Sequence, residues 1–340
     1  MKPAFRQSGQ PYTLYGVLAL IFWGISPALI CQVRHLPVFQ LSMLLQMFSF
    51  LLTLGIAIYQ KQLKKILFEL PKTLIMVPFL VGTQVFYIYA FRLAPADQVD
   101  LINYLWPIMT VVGSSLLFSE KMAGTRCLGI LLGFSAIVFL GRHEIFGGVF
   151  DSQFILGYLL AFATASSWTI YTLLGRGIKG VAANEHIGFH VGISAFVVTG
   201  LHLCFDHEFV PMLPFEWGLT ATLGILVYGL GYPLWWCGLE KGRFALLMSL
   251  SYLSPILSIF VLVCTGVVGA TIDLGIACLM VAGGSWLVNH NRPLFKKDTQ
   301  GECYLHVISF PDVSREVKWK DWDAEPLDDE SWPSVVASCF

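Results

Sequence analysis

Charged residues are scarce in this sequence. Asp, Glu, Lys and Arg make up 13% of its 340 residues, against about 25% in ordinary soluble domains. The formal net charge of −1 leaves no basic surface to gather nucleic acid, and no such partner is expected. Paired cysteines are missing too: eight are scattered without a Cys-x-x-Cys, so neither a zinc-type spacing nor a disulfide framework is present. Six of them lie within or beside apolar runs, where cysteine packs as a small apolar residue. There is no Gly-x-Ser-x-Gly, no His-x-x-x-His with a carboxylate, and no Ser and His at matched depth in the apolar runs. An enzyme is therefore not expected, and no cofactor or metal. His186 and His190 share a helical face, but without a nearby carboxylate inside the bilayer they read as polar surface at a membrane end.

What is abundant is apolar sequence: 56% of the chain is hydrophobic. About 20 predominantly apolar residues cross the ~30 Å of hydrocarbon in a bilayer. Ten runs meet or approach that length: 13–33, 38–59, 71–93, 97–118, 124–141, 154–175, 186–205, 216–239, 243–265 and 268–288. The expected fold is all-α and integral to the membrane. The first run is too long for a signal-peptide core and lacks a small-x-small site, so it reads as an uncleaved helix. Taking alternate loops as one side, one set holds twelve Lys and Arg and the other only Arg34, Arg92 and Arg142. By the positive-inside rule, both termini face the cytoplasm of a cell (inner) membrane. Residues 291–340 are polar, with one short strand-like stretch at 304–310, and read as a cytoplasmic tail.

The sequence also repeats itself. Shifted by 148 positions, "YIYAFRLAPADQVDLINYLWPI" (87–108) lies over "WWCGLEKGRFALLMSLSYLSPI" (235–256), placing Asn103 on Ser251, Tyr104 on Tyr252 and Pro107 on Pro255. A repeat of five spans is odd-numbered, so its two copies enter the bilayer from opposite sides. Two inverted halves, 13–145 and 150–290 between a 1–12 N-terminal segment and the tail, form an architecture used by secondary transporters. Proline kinks a helix by removing one donor and clashing with the carbonyl four residues earlier, and Pro107 and Pro255 are read as kink or gating positions. Around them, Asp100, Asn103, Pro107 and Thr110 share one helical face, and Met248, Ser251, Pro255 and Ser258 its counterpart.

"NYLWPIMTVVGSSLLFSEKM" (103–122) resembles the fourth helix of EamA-type transporters in the drug/metabolite transporter superfamily, with its central proline and following Glu, here Glu120. "NYLWP" is most similar to the bacterial aromatic amino acid exporter branch. The likeness spans roughly 13–290, and the second half departs from it: "TGVVGA" (265–270) has no counterpart of Glu120. The resemblance implies a central substrate cavity, which here points to Trp23, Ser26, Gln84, Tyr87, Asn103, Trp106, Trp168, Tyr171, Tyr232, Trp235, Ser251 and Ser254. It implies alternating-access transport of a small organic metabolite, an amino acid or amino-acid derivative. The alternatives are an exchanger of S-adenosylmethionine-type metabolites and a membrane receptor or scaffold that transports nothing. Strongly charged residues are absent from the middle third of every run, and Asp97, Asp100 and Asp273 fall in the first two turns on the outer side. That favours exchange or facilitated diffusion over tight proton coupling, with Asp100 the group that keeps coupling open. Gly129 and Gly133 form a Gly-x-x-x-Gly, which packs helices closely within one chain or between two chains of a homodimer. An alkaline-phosphatase fusion after Phe340 is expected to be inactive and a cytoplasmic reporter there active; the reverse pattern rules out the ten-span orientation.

Overall fold

The structure, a computed structural model, describes residues 10–117, 124–140, 142, 152–177, 183–206, 208–290, 295–297 and 303–305. Glu120 and most of the tail lie outside the described residues. Helices α1 (Gln10–Val33) and α2 (Val38–Tyr59) are followed by a short α3 (Leu63–Glu69) and two single turns of 3-10 helix, Leu70–Lys72 and Leu74–Met76. Next come α4 (Val77–Leu93), α5 (Ala96–Asn103), α6 (Trp106–Leu117) and α7 (Gly124–Leu140). In the second half, α8 (Ser152–Gly177) precedes α9 (Ala183–Leu201), whose end widens into a π-helical turn at His202–Asp206. Helix α10 (Pro214–Thr222) continues through π-helical Leu223–Leu230 into α11 (Gly231–Lys241). The last helices are α12 (Phe244–Ser251), α13 (Ser254–Cys264) and α14 (Ile272–His290).

Five helices are long and apolar enough to cross a membrane: Pro11–Val33, Val38–Tyr59, Leu74–Leu93, Ser152–Gly175 and His186–Asp206. Their outer faces are apolar as well as their inner ones. Leu51, Ile75, Leu159 and Phe196 are each more than half exposed, as expected of helices that face lipid rather than water. The runs read as single spans at 97–118 and 243–265 are each two helices, α5–α6 and α12–α13, separated by a turn. The tail departs from the all-α expectation. Its described residues are a small antiparallel pair, β1 (Phe295–Lys297) against β2 (Cys303–Leu305), with Phe295 opposite Leu305.

The helices pair across the halves. α4 packs on α8 and α1 on α11; α6 packs on α8 and α1 on α13; α2 packs on α9 and α7 on α14. Each of the first two contacts has a counterpart made by exchanging the halves. One large apolar cluster joins them, with Ile30, Leu41, Ile88 and Phe91 from the first half and Ala161, Tyr171, Leu262 and Val281 from the second.

Polar contacts sort the helix ends into two faces. On one, Gln40 donates through its backbone N–H to Asp206 (3.1 Å) and through its side chain to the Val210 carbonyl (2.8 Å). Arg142 pairs with Asp273 at 2.6 Å and His35 with Glu216 at 2.8 Å on that same face. On the other, the Arg243 N–H donates to Thr13 (2.8 Å), and His186 lies 3.5 Å from Glu69. Every one of these contacts joins ends that alternate-loop counting puts on the same side. Cys31, Cys127, Cys204, Cys264 and Cys278 are free thiols. Cys237, read from sequence as a packing residue, is instead disulfide-bonded.

The Gly-x-x-x-Gly of α7 is used within the chain. A Cβ on Gly129 would stand 2.6 Å from the Gly284 carbonyl oxygen, and one on Gly284 would stand 2.6 Å from that of Gly129. The two backbones touch, and only glycine allows it. Gly129→Val or Gly284→Val is expected to lower the melting temperature in detergent, since overpacking a tight contact costs about 1–3 kcal/mol. Gly55→Ala, where nothing lies within 4 Å, is the control and is expected to leave stability unchanged or slightly raised.

Candidate functional site

Two interrupted helices meet in the interior. In a continuous helix, residue 107 would donate its N–H to the Asn103 carbonyl and residue 255 would donate to Ser251. Both positions are proline, which has no N–H to give. α5 ends at Asn103 and α12 at Ser251, and α6 and α13 restart with proline as their second residue. Proline is well tolerated there, because first-turn N–H groups have no partner within the helix. The sequence reading expected kinks at Pro107 and Pro255. The structure has full breaks, with Tyr104–Leu105 and Tyr252–Leu253 as turns.

Beside the first break stands an aromatic cluster. Trp168 of α8 stacks on Tyr171 one turn along (centroids 5.5 Å apart, planes 6° apart) and on Tyr232 of α11 (5.0 Å, 20°). Trp23 of α1 and Trp106 of α6 meet Trp168 edge-on at 6.3 and 6.4 Å. Trp23 is also flanked by Trp235 at 5.4 Å and Tyr232 at 5.9 Å. The space for its indole is left by Gly231, where a Cβ would lie 2.9 Å from the Trp23 Nε1. Edge-to-face and offset-stacked pairs each contribute about 0.5–1.5 kcal/mol beyond buried area. Six of the twelve residues expected to line the cavity thus form one continuous assembly drawn from both halves.

The other six lie around it. Ser26 donates to the Trp23 carbonyl (2.9 Å) within α1. Gln84 is buried with its side-chain nitrogen unpartnered, and the buried Ser254 hydroxyl at the start of α13 is also unpartnered. Asn103 is half-buried at the end of α5, and Ser251 is buried at the end of α12. Tyr87 stands apart from the cluster: its ring packs edge-on against Phe91 (4.7 Å), and its hydroxyl donates to Asp100 (2.8 Å).

Asp100 stands in the second turn of α5. Its side chain is fully shielded from solvent, and its second oxygen accepts from Ser258 of α13 at 2.5 Å. The histidines, in contrast, need a correction. His186 and His190 are fully buried rather than polar surface. His190 shares hydrogen bonds with Tyr171 through Nδ1 (2.9 Å) and with Thr73 through Nε2 (2.7 Å), tying the aromatic cluster to the turn before α4. Among the described residues, no three of His, Cys, Asp and Glu are grouped so as to hold a metal ion.

Helices apolar on their lipid-facing sides, with broken segments and ionisable groups kept inside, define a multi-pass membrane protein. A family model described as the EamA-like transporter family matches residues 10–142. The chain is 32% identical over 206 residues to the aromatic amino acid exporter YddG of Ancylobacter novellus, covering 61% of this chain and 71% of that one. It is 25% identical to the protein of the same name from Escherichia coli, covering 82% of this chain and 96% of that one. A crystal structure of a protein 26% identical in sequence superposes with a TM-score of 0.64, covering 83% of this chain and 98% of that one. The chain belongs to the EamA-like transporters of the drug/metabolite transporter superfamily, and so is a transporter rather than an enzyme.

Proline in a helix interior costs about 3 kcal/mol relative to alanine, so Pro107→Ala and Pro255→Ala each remove that bias against a continuous helix. Both variants are expected to insert normally and to lose most transport in a flux assay. Wild-type rates in both would show that transport does not need the breaks.

Proposed function

We propose that this protein is a secondary transporter that moves an aromatic amino acid, or a closely related amino-acid derivative, across the cell membrane by alternating access. Ten spans form two inverted five-helix repeats, 13–145 and 150–290, with both termini in the cytoplasm. α5–α6 and α12–α13 are the broken fourth spans of the two repeats. The reciprocal pairing of α4 with α8 and α1 with α11 supports this arrangement, as does the same-side sorting of the polar contacts.

The observation that carries the substrate assignment is the aromatic assembly around Trp168, built from both halves and set against the first helix break. A flat aromatic side chain entering it replaces one ring–ring contact with another, which keeps desolvation cheap. The α-amino and α-carboxylate groups find their partners in Asn103, Ser254 and the helix ends at the breaks. Free carbonyls at a half-helix C-terminus suit the ammonium, and the N-termini of α6 and α13 suit the carboxylate. Trp23, Trp106, Trp168, Tyr171, Tyr232 and Trp235 form the stacking surface in this reading, and Gln84 and Ser254 supply unsatisfied polar atoms. The names of the relatives point the same way.

Proteoliposome counterflow with labelled tryptophan, phenylalanine, S-adenosylmethionine, a sugar phosphate and a neutral aliphatic amino acid tests the assignment. Tryptophan and phenylalanine are expected to exchange fastest. Trp168→Ala gives up stacking worth about 0.5–1.5 kcal/mol per pair, so half-saturation for tryptophan should rise by roughly two- to tenfold or more. Preferred exchange of S-adenosylmethionine or of sugar phosphate would overturn the substrate class, and absence of exchange for the whole panel would overturn transport of such solutes.

A further inference from the structure

The site proposed above does not use Asp100, and that residue is unusual on physical grounds. Among the described Asp, Glu, Lys and Arg residues it is the one most completely withdrawn from solvent, at 0% exposure. Among the described residues it has no Lys, Arg or His within ion-pair distance. Its two oxygens are held instead by neutral hydroxyls, Tyr87 from α4 at 2.8 Å and Ser258 from α13 at 2.5 Å. An ionised carboxylate buried without a cationic partner is costly, and within a membrane protein such a group is retained for function rather than stability.

The surroundings contain little that would fix its charge. Cys31 approaches from α1, with Arg34 beyond that helix's end; Asp97 and Tyr104 lie along its own segment; Cys278 approaches from α14. The stretches 127–140 of α7 and 153–175 of α8 contain no acidic or basic residue. Taking up or losing a proton is therefore the available way for this site to change state. That change is felt across the molecule, because Asp100 and Tyr87 belong to the first half and Ser258 to the second.

We propose that Asp100 is a proton-binding site that couples substrate movement to a transmembrane proton gradient, with protons moving opposite to substrate. This rests on the transporter reading above. The carboxylate accepts hydrogen bonds from both Tyr87 and Ser258, clamping α13 to α4 and α5. When hydronium delivers a proton to one oxygen, a carboxylic acid and a water result. The acid's own O–H can then donate to one hydroxyl, which turns from donor to acceptor, and the hydrogen bonds to Tyr87 and Ser258 lose the assistance of the negative charge. The clamp is weakened in the protonated state and restored when the proton leaves to water on the other side.

The test separates exchange from coupling. Wild-type protein in liposomes, with the membrane potential clamped, is given labelled tryptophan outside and an acidic lumen. Accumulation is expected to approach tenfold for a one-unit gradient if one proton moves per substrate, with lumenal alkalinisation reported by a trapped pH dye. Asp100→Asn is expected to retain counterflow at zero gradient while losing both accumulation and dye response, and Asp100→Glu is expected to recover part of each. No gradient-driven accumulation by wild-type protein that performs counterflow would overturn the coupling and leave the transporter reading standing. Accumulation by Asp100→Asn equal to wild type would overturn the role of Asp100. If Asp100→Asn also stops counterflow, Ser258→Ala decides: a shifted pH midpoint of driven uptake supports the proposal, and an unchanged one overturns it.

Discussion

The structure turns on two missing N–H groups. Because residues 107 and 255 are proline, the carbonyls of Asn103 and Ser251 cannot be taken up by the helices that carry them, and each helix stops and restarts. Bare backbone is not tolerated against lipid; it survives only where protein or water covers it. The chain must therefore bring its two breaks inside and pack other helices over them. This places α1 against α13 and α8 against α6, so that the first helix of each half covers the broken helix of the other. The pairing across halves follows from the need to cover the breaks.

Covering the breaks with aromatic side chains has a specific consequence. Aliphatic side chains would seal the interior as a dry core. Trp and Tyr fill the same volume but keep a polar edge and a ring face, the surface on which the proposed aromatic substrate rests. The His190–Tyr171 hydrogen bond anchors one end of that surface to the turn at Thr73. Tyr171, fully buried and stacked on Trp168, cannot shift without disturbing either the histidine or the tryptophan. The assembly is held from its edge, while its centre is held only by stacking.

Much of this was legible in the sequence, for identifiable reasons. Apolar length gave an all-helical membrane protein with five clear spans among the described residues, the 148-residue repeat gave the paired prolines, and the resemblance to EamA-type transporters gave the aromatic residues that converge on Trp168. What was not legible depended on neighbours that no periodicity reveals. Asp100 can be placed along its own run, but its partner Ser258 lies 158 positions away and on no periodicity of that run. His186 and His190 looked like membrane-end polarity because their partners Glu69, Thr73 and Tyr171 lie on other segments of the chain. Breaks were taken for kinks because proline alone does not say whether the turn before it stays helical; Tyr104 and Leu105 leave the helix, and the sequence has no separate mark for that. The Gly-x-x-x-Gly of α7 left the choice between one chain and two open until Gly284 was found opposite Gly129.

The same two short helices link the break to the carboxylate. Asp100 lies one turn before Asn103 on α5, and Ser258 lies one turn after Ser254 on α13. The buried acid and one of its two partners, Ser258, are thus carried on segments that end at the breaks, while its other partner, Tyr87, comes from α4. A shift of α5 against α13 that opens or closes the breaks must also lengthen or restore the Asp100–Ser258 hydrogen bond. A change at Asp100 must in turn alter the relative stability of the two arrangements. Reciprocity of this kind requires two sites and one element with two discrete positions, biased by both. In the reading proposed above, the element is the pair of half-helices interrupted at proline. Interrupting a helix in this way exposes its backbone inside the protein and, in that proposed reading, joins the solute site to the proton site.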